Sequence, residues 1–303
     1  MGYNEKIELF LELTTTCNYR CIFCNNKNVE KRTILLSDIK GLDDMVNISS
    51  YVDITGYGEI LTHPEFEQII NHFSLKNVPI RIVTNGSLLN EKNRNIIANS
   101  SISELVISIN SLNKETYKKL TGVGDLEVVL ENIDQLVKIY KKSLYFSFVI
   151  NAYNFNEIPN FIDLGVKYKI TEVSCLGLTP MLEYNKDLIL EANEENRNKL
   201  IEYRKYAKEK NMRLYAFNFD TQVGTKERDE NLSEKIKKCK WVYTKFFIEG
   251  DGQVGPCCWA QVRMGNIKEQ SFDEIWNGEK YNELRECIKN GDLKYCSKCR
   301  MLG

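Results

Sequence analysis

Short apolar runs alternate with longer polar stretches through the first two-thirds of the chain. The runs at 7–13, 52–55, 80–84, 105–109, 145–150 and 172–176 hold about five residues each and are followed by Gly, Asn or a hydroxyl residue. Between them, 64–73, 91–99, 126–140 and 158–165 carry apolar residues at helical spacing. This alternation predicts parallel strands joined by helical crossovers. The expected fold is α/β, six such units closing part of the way round a TIM-like barrel, a partial (β/α)6 barrel. In barrels of this kind, chemistry gathers at the C-terminal ends of the strands.

The pattern changes after that. A charged helix is expected over 194–210 and a further short strand over 213–217, while 221–238 is polar and lysine-rich and reads as a linker. Beyond it, TKFFIEGDGQVGPC predicts a β-hairpin turning at Gly250-Asp251-Gly252. One short and one longer helix follow, the second closing at Gly291. The chain therefore divides into a barrel over 1–220, a linker over 221–238 and a small unit over 239–303.

Composition narrows the function. With 43% hydrophobic and 27% charged residues the chain is an ordinary globular one. A net charge of −1 provides no basic field for nucleic acid. No apolar run approaches the roughly 18–20 residues of a membrane span. Glu5, Lys6, Glu8 and Glu12 interrupt the place where a signal peptide would be apolar. The expected location is cytoplasmic, where ten cysteines are too many to explain as disulfides. Histidine is limited to His63 and His72, so metal binding or catalysis by thiols is the expectation.

The distinctive motifs fall at predicted strand ends. Cys17 follows the first run, Gly56-Tyr57-Gly58-Glu59 the second, Thr84-Asn85-Gly86 the third, and Ser108-Ile109-Asn110 ends the fourth. Cys17, Cys21 and Cys24 form CxxxCxxC with Phe23 as an apolar cover. Three thiolates are one short of the usual four for a [4Fe–4S] cluster, which leaves one iron open. Taken alone, the same cysteines also suit a zinc knuckle completed from a distance, and Cys239, Cys257, Cys296 and Cys299 suit a Cys₄ zinc ribbon. A non-catalytic zinc scaffold is thus the alternative from another class.

CxxxCxxC directly after the first strand, with an aromatic before its last cysteine, resembles the radical S-adenosylmethionine (SAM) superfamily. The resemblance implies that the open iron chelates the amino and carboxylate groups of SAM. The reduced cluster then cleaves SAM to a 5′-deoxyadenosyl radical that abstracts a substrate hydrogen. Gly56, Tyr57, Gly58 and Glu59 are similar to the family's GGE motif, which receives the methionine amino group. Asn85 joins this set, and Ser108 and Asn110 look like ribose-facing residues. Cys239, Gly252 and Cys257, spaced C-x₁₂-G-x₄-C, resemble the opening of the SPASM motif. With Cys296 and Cys299 they imply one auxiliary cluster, the shortened form called a Twitch domain. The implied cofactors are two [4Fe–4S] clusters and SAM, with a flavodoxin- or ferredoxin-type electron donor.

The stretch from MGNIKEQSFDEIW to YCSKC is also similar to the corresponding region of the butirosin-pathway aminocyclitol dehydrogenase. Cys258 lies beside Cys257, and neighbours on a strand point to opposite sides. This reading turns Cys258 away from the auxiliary cluster and toward the barrel mouth. Some radical SAM epimerases use a cysteine near this position as a hydrogen-atom donor. The expected activity is epimerisation of a sugar, aminoglycoside or peptide through Cys258, with oxidation of an alcohol through the auxiliary cluster as the alternative. Cys175 and Cys287 read as core residues.

Overall fold

The computed structural model describes residues 7–178, 186–217, 231–258, 260, 262–297 and 299. Strands β1 (Ile7–Leu11), β2 (Ser49–Ile54), β3 (Ile80–Thr84), β4 (Ile102–Ser108), β5 (Ser143–Ile150), β6 (Glu172–Gly177) and β7 (Arg213–Phe217) follow one another in a parallel sheet. On the other side of β1 lies β8 (Lys245–Ile248), also parallel to it. The sheet ends in β9 (Gln253–Gly255) and β10 (Gly265–Asn266), which are antiparallel.

Period-two alternation gives the sheet two different faces. Leu9, Leu11, Val52, Ile54, Ile80, Ile82, Leu105, Ile107, Phe146 and Phe148 are at most 1% exposed. They pack under the helices Phe66–Leu75, Glu91–Asn99, Leu126–Ile139 and Ile158–Lys167. Phe148 on β5 stacks on Phe161 of the last of these at 4.3 Å, and each buried aromatic of this kind contributes roughly 2–3 kcal/mol. The inner face is mixed instead: Phe10 and Phe247 stack there at 5.8 Å, with ion pairs beside them. Arg81 on β3 pairs with Asp53 on β2 at 2.8 Å. Lys245 on β8 pairs with Glu8 on β1 at 2.8 Å, and Arg213 on β7 with Glu172 on β6 at 3.3 Å. A parallel sheet buried on both sides would be apolar on both; this one carries charged pairs on its inner face.

Two features differ from the sequence expectation. β7 continues the parallel run as a seventh strand, and the C-terminal hairpin is part of the main sheet through the β1–β8 pairing. Of the expected linker, 231–238 contains the helix Leu232–Ile236, whereas 221–230 lie outside the described residues. The short helices Leu36–Lys40, Asp43–Ile48 and Lys114–Thr121 gave no sequence signal, since eight residues or fewer hardly establish a helical period.

Around the C-terminal hairpin, Phe246, Phe272, Trp276 and Tyr281 form an aromatic cluster with ring centres 4.9–6.4 Å apart. The Tyr281 hydroxyl donates to the Gly255 carbonyl at 3.2 Å. This anchors the end of β9 just before Cys257.

Candidate active site at the strand ends

The loop carrying the first three cysteines is held on both sides. Arg20 N–H donates to Thr121 O and Ile22 N–H to Leu120 O, each at 3.0 Å. The loop thus lies along the end of the helix Lys114–Thr121, and Tyr19 and Tyr117 meet hydroxyl to hydroxyl at 3.2 Å beneath it. Backbone N–H groups point at two of the sulfurs, Tyr19 N–H at Cys17 Sγ and Asn26 N–H at Cys24 Sγ, both 3.4 Å. Burial and the neighbouring Cys24 and Cys17 push the Cys21 thiol up to about 12. Burial also raises Cys17 and Cys24. Thiols crowded and desolvated in this way become thiolates only where bound metal supplies compensating positive charge. Hydrogen bonds to sulfur are among the features that tune iron–sulfur centres.

Against this loop sits Gly56–Glu59, at the end of β2. Glu59 N–H donates to Thr16 O at 2.9 Å. A Cβ on Gly58 would lie 2.1 Å from Thr14 O and 2.7 Å from Thr16 O, so only glycine permits the approach. Glu59 is 3% exposed. Its carboxylate accepts from the Thr84 hydroxyl, Asn85 N–H and Leu61 N–H at 2.6, 2.7 and 3.1 Å. Burial raises its pKa against the pull of these donors. Tyr57 is 47% exposed, and its carbonyl accepts from Asn26 Nδ2 at 2.8 Å. The Asn85 side chain joins Asn18 and Ser87 at 2.9 and 2.6 Å.

Farther along the mouth, Ser108 is half-buried and Asn110 is 5% exposed. Asn110 Oδ1 accepts from Val149 N–H at 3.0 Å, so its carboxamide links β4 to β5. Its Nδ2 lies 3.4 Å from Ser108 Oγ. Of the two, Ser108 leaves its hydroxyl more available to a ligand. Phe23 packs with Leu120, Val149, Tyr153, Leu178 and Leu188, a small apolar cluster apart from the main core.

The second cysteine group surrounds a cavity. Cys239, Cys257, Cys296 and Cys299 line it together with Ile236, Trp241, Val242, Pro256, Ala260, Leu284 and Ile288. Cys296 is pushed up to about 12, first by burial and then by Cys257, Cys299 and Cys239. Ala260 N–H donates to Cys257 Sγ at 3.3 Å. Among the described residues, no group of three Cys, His, Asp or Glu side chains converges as a single metal ion requires. Four cysteines lining one apolar hollow supply the four thiolates that a [4Fe–4S] cluster takes.

Cys175 and Cys287 are buried in the core, as their positions in a strand and a helix lead one to expect. Cys258 is the only exposed cysteine of the ten. Burial of part of its surface, then Cys257, raises its thiol to about 11, while Lys245 pulls it down. Its placement differs from expectation. Gly255 pairs with Phe247 as β9 descends alongside β8, so the chain arrives at Cys258 near Lys245, the first residue of β8. Cys258 therefore lies at the N-terminal ends of the strands, opposite the Cys17–Cys24 loop, rather than at the mouth. A five-residue strand separates those ends by about 16 Å.

Glu12, Asn26 and the helix Lys114–Thr121 complete this machinery, and sequence reasoning did not find them. In the sequence Glu12 stands only as a charge that argues against a signal peptide. Its one available signal was a lone carboxylate inside an apolar run.

The fold and the two cysteine groups define a protein built to hold iron–sulfur clusters. The radical SAM superfamily profile matches residues 11–165, and the profile of the SPASM iron–sulfur cluster-binding domain matches residues 239–300. The chain belongs to the radical SAM superfamily, and its cofactors are SAM and [4Fe–4S] clusters. It is 26% identical to the AdoMet-dependent heme synthase of Methanosarcina barkeri, over 95% of this chain and 89% of that protein. SuiB of Streptococcus suis bound to SAM superposes with a TM-score of 0.75 at 20% identity, covering 97% of this chain and 72% of SuiB. BtrN in complex with AdoMet and 2-DOIA gives 0.54 at 17% identity, covering 99% and 94%. Among the described residues no helix is long and apolar enough to cross a membrane.

Proposed function

We propose that this enzyme is a cytoplasmic epimerase of a sugar, aminoglycoside or peptide, with Cys17, Cys21 and Cys24 holding the SAM-binding cluster. Cys239, Cys257, Cys296 and Cys299 hold an auxiliary cluster in the unit over 239–303. Gly56, Tyr57 and Gly58 would hold SAM through their backbone, with Phe23, Asn85 and Ser108 completing its site. Glu59 and Asn110 act from within the wall. When bound, SAM and the reduced cluster supply a 5′-deoxyadenosyl radical that removes a hydrogen atom from a substrate carbon.

The observation that carries the reading is the position of Cys258, exposed at the end of the strands opposite the SAM loop. The reading requires the Cys258 thiol to face a substrate held in the barrel between it and SAM. After loss of its hydrogen the substrate carbon is planar, and Cys258 delivers a hydrogen atom to the opposite face. The carbon–hydrogen bond forms with inverted configuration as the sulfur–hydrogen bond breaks. One electron from a flavodoxin- or ferredoxin-type donor and one proton return the sulfur to a thiol.

A second reading rests on the four-cysteine cavity adjoining Cys258. There Cys239, Cys257, Cys296 and Cys299 would hold a cluster able to accept one electron, and a substrate that gave up that electron and a proton would leave as a ketone or aldehyde. Turnover in heavy water separates the two. Epimerisation gives product with one deuterium at the inverted carbon and is lost in Cys258→Ala. Oxidation gives a carbonyl product without that deuterium and survives the substitution.

A further inference from the structure

Glu12 is 8% exposed, and a carboxylate buried so far requires partners. It has two, both backbone amides. Oε1 accepts from Tyr57 N–H at 2.8 Å, and Oε2 accepts from Gly250 N–H at 3.1 Å. Tyr57 belongs to the glycine loop at the SAM end of β2. Gly250 lies 238 residues from Glu12, in the turn between β8 and β9. The approach is tight at Gly56 and ordinary at Gly250. A Cβ on Gly56 would stand 2.5 Å from Glu12 Cγ and Oε1, and one on Gly250 would stand 3.4 Å from Oε2. Arg32 pins the same turn through Asp251 at 2.7 Å.

We propose that Glu12 is a positioning residue that couples the SAM-binding loop to the hairpin carrying auxiliary ligand Cys257. The proposal rests on the assignment of SAM and the auxiliary cluster made above. One carboxylate with one amide on each oxygen sets the separation of the two loops, so neither moves without straining a bond to the other. From Gly250 the chain runs down β9 directly to Cys257, two residues past its end. Displacement of Cys257 is thereby transmitted to the Gly250 amide, across Glu12 to Tyr57, and so to SAM. Because the coupling is a free energy it acts in both directions.

The test uses the anaerobically reconstituted holoenzyme. Hydrogen exchange is followed in peptides spanning 55–60 and 246–254, with and without SAM. The coupling requires SAM to slow exchange in both. Slowing in 55–60 alone overturns it, and this measurement needs no variant. A double-substitution cycle then reads the same coupling through SAM affinity. Glu12→Gln keeps one acceptor but turns an NH₂ group toward the second amide, and is expected to weaken SAM binding about tenfold. Cys296→Ala with Cys299→Ala weakens SAM binding in the wild-type background and adds nothing in the Glu12→Gln background. Independent, multiplying effects overturn the proposal. A wild-type holoenzyme that binds no SAM at all overturns the cofactor assignment, and the coupling falls with it.

Discussion

Glu59 accepts the Thr84 hydroxyl at 2.6 Å, so one buried carboxylate joins the loop after β2 to the end of β3. The acidic residue of the glycine motif thus spends its hydrogen-bonding capacity on the wall, leaving the glycine backbone to face the ligand. Thr84 Oγ1 also accepts from Gly86 N–H at 3.1 Å. Thr84→Val keeps the shape but removes a donor from a buried carboxylate and strands an amide. We expect it to lower stability by about 2–3 kcal/mol, seen as a reduced Tm under anaerobic conditions, with weaker SAM binding. An unchanged Tm would mean that water replaces the hydroxyl and that the wall admits solvent at Glu59.

Gly58 makes a sharper steric prediction. An added methyl group would meet Thr14 O at 2.1 Å and Thr16 O at 2.7 Å, backbone atoms immediately before Cys17. They cannot retreat without moving the first cysteine. Gly58→Ala should therefore lose most of the iron at the Cys17–Cys24 site while the C-terminal site keeps its own. Gly41→Ala is the control: its nearest contact is Asp38 O at 3.4 Å, an ordinary distance, and iron content should not change. Equal iron in both variants would show that the glycine loop does not constrain the cluster loop.

Strand positions and the cysteine groups were readable because they depend on local pattern. The expected 80–84 and 213–217 coincide with β3 and β7, and Gly291 ends its helix at φ +73°. The β1–β8 pairing was not readable. It joins segments more than two hundred residues apart, and a hairpin's alternation does not say which edge it will extend. That same pairing decides where Cys258 goes. Cys257 and Cys258 lie in bends beyond β9, where period two no longer applies, and only the direction of β9 shows which end of the barrel they reach. Glu12 escaped for a related reason: its partners are backbone amides, whose positions are a property of the fold rather than of residue type.

The two cysteine groups make separable iron predictions. Wild-type protein reconstituted without oxygen should carry about eight irons per chain, and replacement of Cys17, Cys21 and Cys24 by Ala should leave about four. Replacement of Cys296 and Cys299 should also leave about four, now at the SAM site. A wild-type value near four that vanishes in the first variant would leave the cavity around Cys239 and Cys257 without a cluster. Oxidation through it would then have no basis.

His63 gives the fold a directional pH response. It is 4% exposed, with Nε2 2.9 Å from Ile34 O and Nδ1 3.0 Å from Glu65 N–H. Because a carbonyl can only accept and an amide can only donate, the ring is neutral with its proton on Nε2. Protonation of Nδ1 would break the Glu65 bond, and burial lowers the ring pKa below its ordinary 6.5. Between the folded value and 6.5 the unfolded chain binds more protons than the folded one. The stabilisation is therefore fully present above 6.5 and declines as pH falls toward the folded pKa. Asp53 and Glu59, whose pKa values burial raises, slope the other way at lower pH, so the comparison must be with a variant rather than a single curve. Wild type should lose about 1 kcal/mol relative to His63→Gln between pH 7.5 and 5.5, measured by thermal denaturation. Parallel curves for the two proteins would mean that the ring accommodates its second proton without cost, against the geometry of Ile34 and Glu65.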